Sequence, residues 1–446
     1  MTTKYNLVLL LFLSVGFLSC KKFLDVKPKG VVLPEKLADY EALLNSPTLT
    51  ETFPAHLMYC TDDLQGLYTM GDRSSEANTY FWKNQMETST EVSPPVWGPL
   101  YRSIYNTNVI INYIDATEGS EQKKKEVLGE ALAIKADCYF TLLTAYAKSY
   151  KASTAGTDPG LPLVTSTDVT SSTPQRSSLQ ATIDEILSNL KRAAEYLPLS
   201  SKNKLRINRY GAFSILSRVY LYMGDFANAR IYADQALAAP HQLLDYTTMP
   251  DGDALPISEL NPESLWIRLS PDYVLPGFML YSEDLLSYFS DNDKRFDFFT
   301  RPPVPKEHIL ARGNSNFGVT FPELYLTKAE ALARASDFNG AMAIVNMIRV
   351  KRIAGTPNNP YVDLVATSGE DALQKVLAER RIELAFGGQR WMDMKRLDAE
   401  GRMAEVVRYN VDTHAKDGAL PPKSPNYTFE IPSRVLLFNP GITKNH

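Results

Sequence analysis

Leu373-Gln-Lys-Val-Leu-Ala-Glu-Arg-Arg-Ile-Glu-Leu-Ala-Phe-Gly-Gly-Gln-Arg-Trp-Met-Asp-Met-Lys-Arg-Leu397 is the stretch from which the rest of the chain can be understood. Its first half sets Leu373, Val376, Leu377, Ile382, Leu384, Ala385 and Phe386 at the period of an amphipathic helix. Gly387-Gly388 then stops that helix, since glycine alone takes a left-handed cap without steric cost. A second helix follows, with Trp391, Met394 and Leu397 on one face. Charges crowd into the junction: Glu379, Arg380, Arg381, Glu383, Arg390, Asp393 and Arg396. A buried charge must be paired. Beside Phe386 and Trp391, these residues therefore predict a packed helical hairpin whose arginines are tied to carboxylates. Two carboxylates in one setting also suit acid–base catalysis. The structural reading is preferred, because each carboxylate has an arginine within a turn or two.

Working outward, Asn208-Arg-Tyr-Gly-Ala-Phe213-Ser-Ile-Leu216-Ser-Arg-Val-Tyr220-Leu-Tyr-Met-Gly224-Asp-Phe226-Ala-Asn-Ala229, continuing to Ala236, has the spacing of a tetratricopeptide unit. Phe213, Leu216 and Tyr220 fill one helix face, Gly224 turns the chain, and Ala229, Ala233 and Ala236 let a second helix approach closely. A second copy runs through Leu324-Tyr-Leu-Thr-Lys-Ala-Glu-Ala-Leu332 and Asp337-Phe-Asn-Gly-Ala341. Asp225/Phe226 recurs as Asp337/Phe338, an offset of 337 − 225 = 112, so other structure is inserted between units. With 127–197 as the first unit and 372–397 as the last, the expectation is a mainly α fold. Four tetratricopeptide-like helical pairs form a superhelical scaffold (repeats about 121–240 and 321–400), because stacked pairs bury a core that no single pair can. An irregular, loop-rich, aromatic-rich part (about 45–100 and 240–320) packs on it, and 400–446 is a C-terminal tail.

The chain has 446 residues, 44% of them apolar, enough for a large core. A net charge of −4 and a pI near 5.9 give no reason to expect nucleic acid. Lys4 and the apolar run Leu7 to Leu18, too short to span a bilayer, lead to Phe17-Leu-Ser-Cys20. This predicts a lipoprotein signal peptide over 1–19, with Cys20 lipidated as the mature N-terminus of a single domain over 20–446. Such an anchor holds a body at a membrane surface without a transmembrane helix. Cys60 and Cys138 are the remaining cysteines, too few for a disulfide framework.

The signature Glu379-Arg-Arg-Ile-Glu-Leu-Ala-Phe386 with Gly388-Gln-Arg-Trp-Met-Asp-Met-Lys-Arg396 resembles that of the SusD/RagB family of outer-membrane nutrient-binding lipoproteins. Gly387 stands where the family usually has a glutamate. Lys21-Lys-Phe-Leu-Asp25-Val-Lys-Pro28, Trp97-Gly-Pro-Leu-Tyr101-Arg-Ser-Ile-Tyr105-Asn-Thr-Asn108, Gly160-Leu-Pro-Leu163, Ile431-Pro432 and Asn439-Pro440 extend the resemblance over nearly the whole chain. It implies a protein of the outer membrane, lipid-anchored and facing the cell exterior. Such a protein binds an oligosaccharide or other nutrient and caps a SusC-like TonB-dependent transporter.

The five histidines are scattered without metal-ligand spacing, and no G-x-S-x-G, G-x-G-x-x-G or phosphate loop occurs. The expectation is a binding protein rather than an enzyme, with no cofactor or metal. Sugar capture uses aromatic faces on pyranose C–H faces, with amides or carboxylates on the hydroxyls. Loops on a rigid scaffold are where such sites sit. The resemblance places the site in the N-terminal loops and the middle insertion, so the glycan-binding candidates are Trp82, Tyr80, Asn84, Trp266 and Tyr273. Trp97 and Trp391, inside helical signatures, read as core, and the repeats as the surface for the SusC-like partner. Two alternatives stand: a peptide cargo, as in RagB-like members, bound in a groove, or a lipid-anchored repeat scaffold without a small ligand. The scaffold reading predicts that the aromatics of 240–320 are buried.

Overall fold

Nine helices of ten residues or more dominate the computed structural model, which describes residues 34–66, 74–250, 254–271, 279–299, 316–410 and 413–446. They are α1 (Trp97–Tyr113), α2 (Glu121–Tyr146), α3 (Leu179–Tyr196), α4 (Arg209–Met223), α5 (Phe226–Leu237), α6 (Phe321–Arg334), α7 (Phe338–Arg349), α8 (Gly369–Glu383) and α9 (Arg390–Ala399). The expected leader with Cys20, and Tyr273, lie outside the described residues.

Local chemistry sets most helix starts. The side chains of Ser120, Ser178, Asn208, Asp225, Asp337 and Ser368 each accept from a backbone N–H three residues on, satisfying a donor that the first turn leaves free. Asp225 and Asp337 cap corresponding helices of the two readable repeats. Gly224 takes φ 77° at the turn before Asp225, and Ser336 takes φ 65° at the matching place in the second copy. There a serine adopts the left-handed backbone that glycine holds freely. Ala229, Ala233 and Ala236 are buried, and the Ser217 hydroxyl donates across the close α4–α5 contact to the Ala229 carbonyl at 2.8 Å.

The mainly α, repeat-based fold is as expected: α2 packs with α3, α4 with α5 and α6 with α7, while α3 against α4 and α5 against α6 continue the stack. The last pair departs from the packed hairpin. Helix α8 lies on α6 and α7, whereas α9 turns toward α4 and α2. Helix α8 also ends at Glu383 rather than running to Phe386. The reason is Phe386, which takes φ 60° to bury its ring edge-on to Tyr281 at 5.0 Å. Left-handed backbone falls at Phe386 and Gly388, not at a Gly387-Gly388 cap.

The irregular part is stitched from distant segments by short antiparallel ladders. Strand β1 (Leu64–Gly66) pairs with β5 (Met279–Tyr281), and β4 (Ser264–Trp266) with β6 (Val319–Thr320). Two further ladders join β2 (Pro159–Pro162) to β3 (Arg176–Ser178) and β7 (Val406–Tyr409) to β8 (Lys416–Leu420). The irregular part has its own aromatic core, including Tyr59, Tyr80, Tyr246, Tyr281, Phe296, Phe299, Phe317 and Phe386. Trp97 and Trp391 belong to the main scaffold core, as expected.

Candidate functional site

Tyr80 and Trp82 close the short helix Ser75–Tyr80, where Trp82 takes φ 51° and swings its ring inward. The ring is 0% exposed and its Nε1–H donates to the Cys60 carbonyl at 2.8 Å. The Arg408 guanidinium lies over both rings, 4.1 Å from the Tyr80 centroid and 4.4 Å from that of Trp82. Its N–H groups donate to the carbonyls of Tyr59, Thr61, Leu64 and Tyr80. Tyr80 is buried, its hydroxyl accepting from the Gly66 N–H at 2.8 Å. Trp266 is likewise 0% exposed, in β4, under the Arg268 guanidinium at 3.9 Å. The structure therefore corrects the sequence reading: Tyr80, Trp82 and Trp266 are core and offer no ring face to a ligand. The physical reason is a buried arginine on each tryptophan, a cation–π contact that strengthens with desolvation. Of the other candidates, Asn84 is exposed and Tyr273 is outside the described residues.

The charges of 379–396 are tied as expected. Glu379 accepts from Arg295 and Arg349, Glu383 from Arg352 and Arg295, and Asp393 from Arg380 and Arg396. Burial alone would raise the Asp393 carboxyl, but Arg380 and Arg396 overcome it and hold the group at about 2. Arg390 makes a two-bond fork to Asp62 at 2.6 and 2.7 Å, and Arg381 reaches Asp63 at 3.0 Å. These pairs rivet the N-terminal loops to the last repeat. Each arginine compensates a carboxylate, so none of these groups stands as a free acid or base. Among the described residues no cluster of histidine, cysteine and carboxylates has metal-site geometry.

Two exposed rings that the sequence reading passed over flank the β1–β5 ladder. Tyr288 is 42% exposed, with the Arg381 guanidinium 5.3 Å from its centroid. Arg381 also holds the exposed Asp284 carboxylate at 2.5 Å. On the other side Tyr409, 48% exposed at the end of β7, is fixed when Gln65 of β1 donates to its carbonyl at 2.5 Å. Tyr288 with Asp284 through Arg381, and Tyr409 with Gln65, are thus two exposed aromatic and polar groups at the rim of the ladder. The run of β-branched and aromatic residues in Val406-Val-Arg-Tyr409 was the available sign of a strand.

Beneath the irregular part lies a cavity of 40 Å³, walled by the parallel Phe53–Phe317 stack (4.2 Å, 5°), Trp391 and Met392, with Asp137, Thr141, Arg218, Arg268 and Gln389 as polar groups. Burial pushes the Asp137 carboxyl upward against the pull of Arg218 and Arg268. The cavity is far smaller than an oligosaccharide.

A family model described as starch-binding associating with outer membrane matches residues 22–221, and one described as SusD family matches 321–446. SusD-like protein P38 of Formosa agariphila is 20% identical over 88% of this chain and 91% of its own length. SusD-like protein P2 of the same organism is 24% identical over 88% and 90%. Among solved structures, a SusD superfamily protein from Bacteroides thetaiotaomicron superposes with a TM-score of 0.76 at 20% identity, covering 92% of this chain and all of its own. A putative sugar binding protein from Bacteroides vulgatus gives 0.72 at 22% identity, covering 93% and 99%. At these identities the structures establish the shared fold.

Proposed function

We propose, from the premise that this chain belongs to the SusD/RagB family, that it captures an oligosaccharide at the cell surface and delivers it to a SusC-like TonB-dependent transporter. The carrying observation is the division of the chain: the family matches cover 22–221 and 321–446, and the insertion between them supplies β5 and Tyr288 to the exposed rim. A scaffold held in common with a divergent loop surface is the arrangement in which specificity changes while the fold persists. In this reading the glycan lies across Tyr288 and Tyr409, with Asp284, Gln65 and Asn84 within its reach as hydroxyl partners. Tyr273 remains a candidate from sequence. The 1–19 leader, the lipid on Cys20, the single domain over 20–446 and the outward-facing outer-membrane location complete the proposal. No helix among the described residues is long and apolar enough to cross a membrane.

The test is calorimetry of the protein against a panel of plant, fungal and host oligosaccharides, with Tyr288→Ala and Tyr409→Ala variants. Loss of one stacking ring is expected to weaken binding about tenfold without changing the unfolding midpoint. Undiminished affinity in both variants would remove the rim as the site.

One observation favours a second reading. Apart from the exposed Tyr288, the insertion buries Tyr246, Trp266, Tyr281, Phe296, Phe299 and Phe317, which is the direction a repeat scaffold without a small ligand predicts. In that case the panel stays silent and the transporter partner alone binds.

A further inference from the structure

The polar wall of this cavity is built in an unusual way for a helical core. Between Ala131 and Tyr146 of α2, every residue is buried except Asp137 and Thr141, which lie four apart on one face and line the cavity. No donor among the described residues reaches the Asp137 carboxyl. Across the cavity Arg268, 1% exposed, spends one nitrogen on the Leu49 carbonyl at 2.5 Å, while its Nε and Nη2 have no acceptor among the described residues. Those two N–H groups form the edge that normally grips an acceptor in parallel. Arg218, the other guanidinium of the wall, is already satisfied by Glu323 at 2.7 Å. A carboxyl without a donor and a guanidinium edge without an acceptor thus share one cavity, and for the sealed Arg268 that omission is costly.

Charge narrows what fits between them. Two guanidinium groups oppose a cation, and the Asp137 carboxylate opposes an anion. A hydroxyl group meets both needs, its O–H donating to Asp137 and its oxygen accepting from Arg268. Size narrows it further: the cavity holds 40 Å³, and about 10–15 Å³ of such space admits one water. That is room for about three hydroxyl-sized groups, with the Phe53–Phe317 stack as an apolar wall for their C–H faces. We propose that this cavity is a second binding site, separate from the exposed rim, which takes a small neutral polyol or the hydroxymethyl end of a sugar between Asp137 and Arg268.

Glycerol is the probe. Saturation-transfer NMR of the purified protein is expected to show saturable glycerol binding that weakens about tenfold in Asp137→Asn, since a hydrogen bond to a charged group is replaced by one to an amide. Tyr288→Ala should leave it unchanged, so silence of the rim toward glycans does not bear on this result. Thr141→Val, at the same face of α2, is expected to weaken glycerol as well and serves if Asp137→Asn does not fold by circular dichroism. Crystals grown without polyols and soaked in glycerol or in sodium bromide supply the second arm, with glycerol density against Asp137 expected. A bromide peak beside Arg268, water alone at every glycerol concentration, or glycerol in crystals without a saturable solution signal (binding at crystal concentration only) would each overturn the proposal.

Discussion

Replacing Asp393 with asparagine tests whether the charged junction is a structural rivet. The Asp393 carboxylate receives Arg380 Nε at 2.8 Å and Arg396 Nε at 2.7 Å, with all three side chains nearly sealed from solvent. Arg396 keeps Glu330 in the variant, but Arg380 is left with the Thr327 hydroxyl and the Glu323 carbonyl. Breaking a buried pair by removing one partner costs about 3–5 kcal/mol. A separate route gives a similar size. A carboxyl held at about 2 instead of 3.8 has its charged form favoured by about 2.5 kcal/mol. The amide adds a donor facing two donors, so a loss of about 3 kcal/mol is expected at pH 7. Urea unfolding followed by tryptophan fluorescence reads it. With a slope of about 3 kcal/mol per molar, the midpoint falls by about 1 M. The sign with pH is fixed as well. The folded pKa lies below the unfolded one, so this stabilisation is full above about pH 4 and fades as pH falls toward 2. The gap between wild type and variant should therefore close over that window. A midpoint shift below about 0.2 M at pH 7, or a gap that does not depend on pH, would refute the rivet and reopen an acid–base role.

Trp82→Ala should lose about 3–5 kcal/mol of stability, as for a buried aromatic elsewhere, and calorimetric unfolding should show it whether or not ligand is present. Gly388→Ala places a Cβ 2.7 Å from the Phe53 ring at a φ of 92°, and strain plus overpacking should cost about 2 kcal/mol or more, read by thermal denaturation. Arg408→Met leaves several buried carbonyls without donors, and hydrogen exchange should accelerate at Leu64 to Gly66 before it does in α2 to α5.

Much of the scaffold could be read because helical repeats write their geometry locally. Asp225 and Asp337 announced two helix starts, three alanines announced a close helix contact, and alternating charges around Trp391 announced paired burial. The proposed binding surface was not readable in the same way. Trp82 and Trp266 sit among turn formers, where sequence period says nothing of which way a ring points. What turned them inward was Arg408, more than three hundred residues from Trp82, and Arg268, hidden in a stretch without helical period. The exposed Tyr288 and Tyr409 carried no mark that distinguished them from other tyrosines, since their exposure follows from strand pairings between segments far apart. The end of α8 was misplaced for a related reason: the gain from burying Phe386 against Tyr281 outweighs its left-handed backbone, and Tyr281 is a hundred residues upstream.

Arg408 also imposes an order in time. Its guanidinium completes the carbonyls around Leu64, 344 positions earlier in the chain. A ribosome adding 5–20 residues each second needs roughly 17 to 70 s to cover that interval. For the first 281 − 64 = 217 of those positions the segment carrying Leu64 has neither its β5 partner strand nor its arginine, and for the rest it still lacks the arginine, while the early repeat helices can already pack. The irregular part that carries the proposed rim is thus completed last, and a chain cut short before Arg408 presents a packed repeat scaffold with an unsealed, aggregation-prone edge.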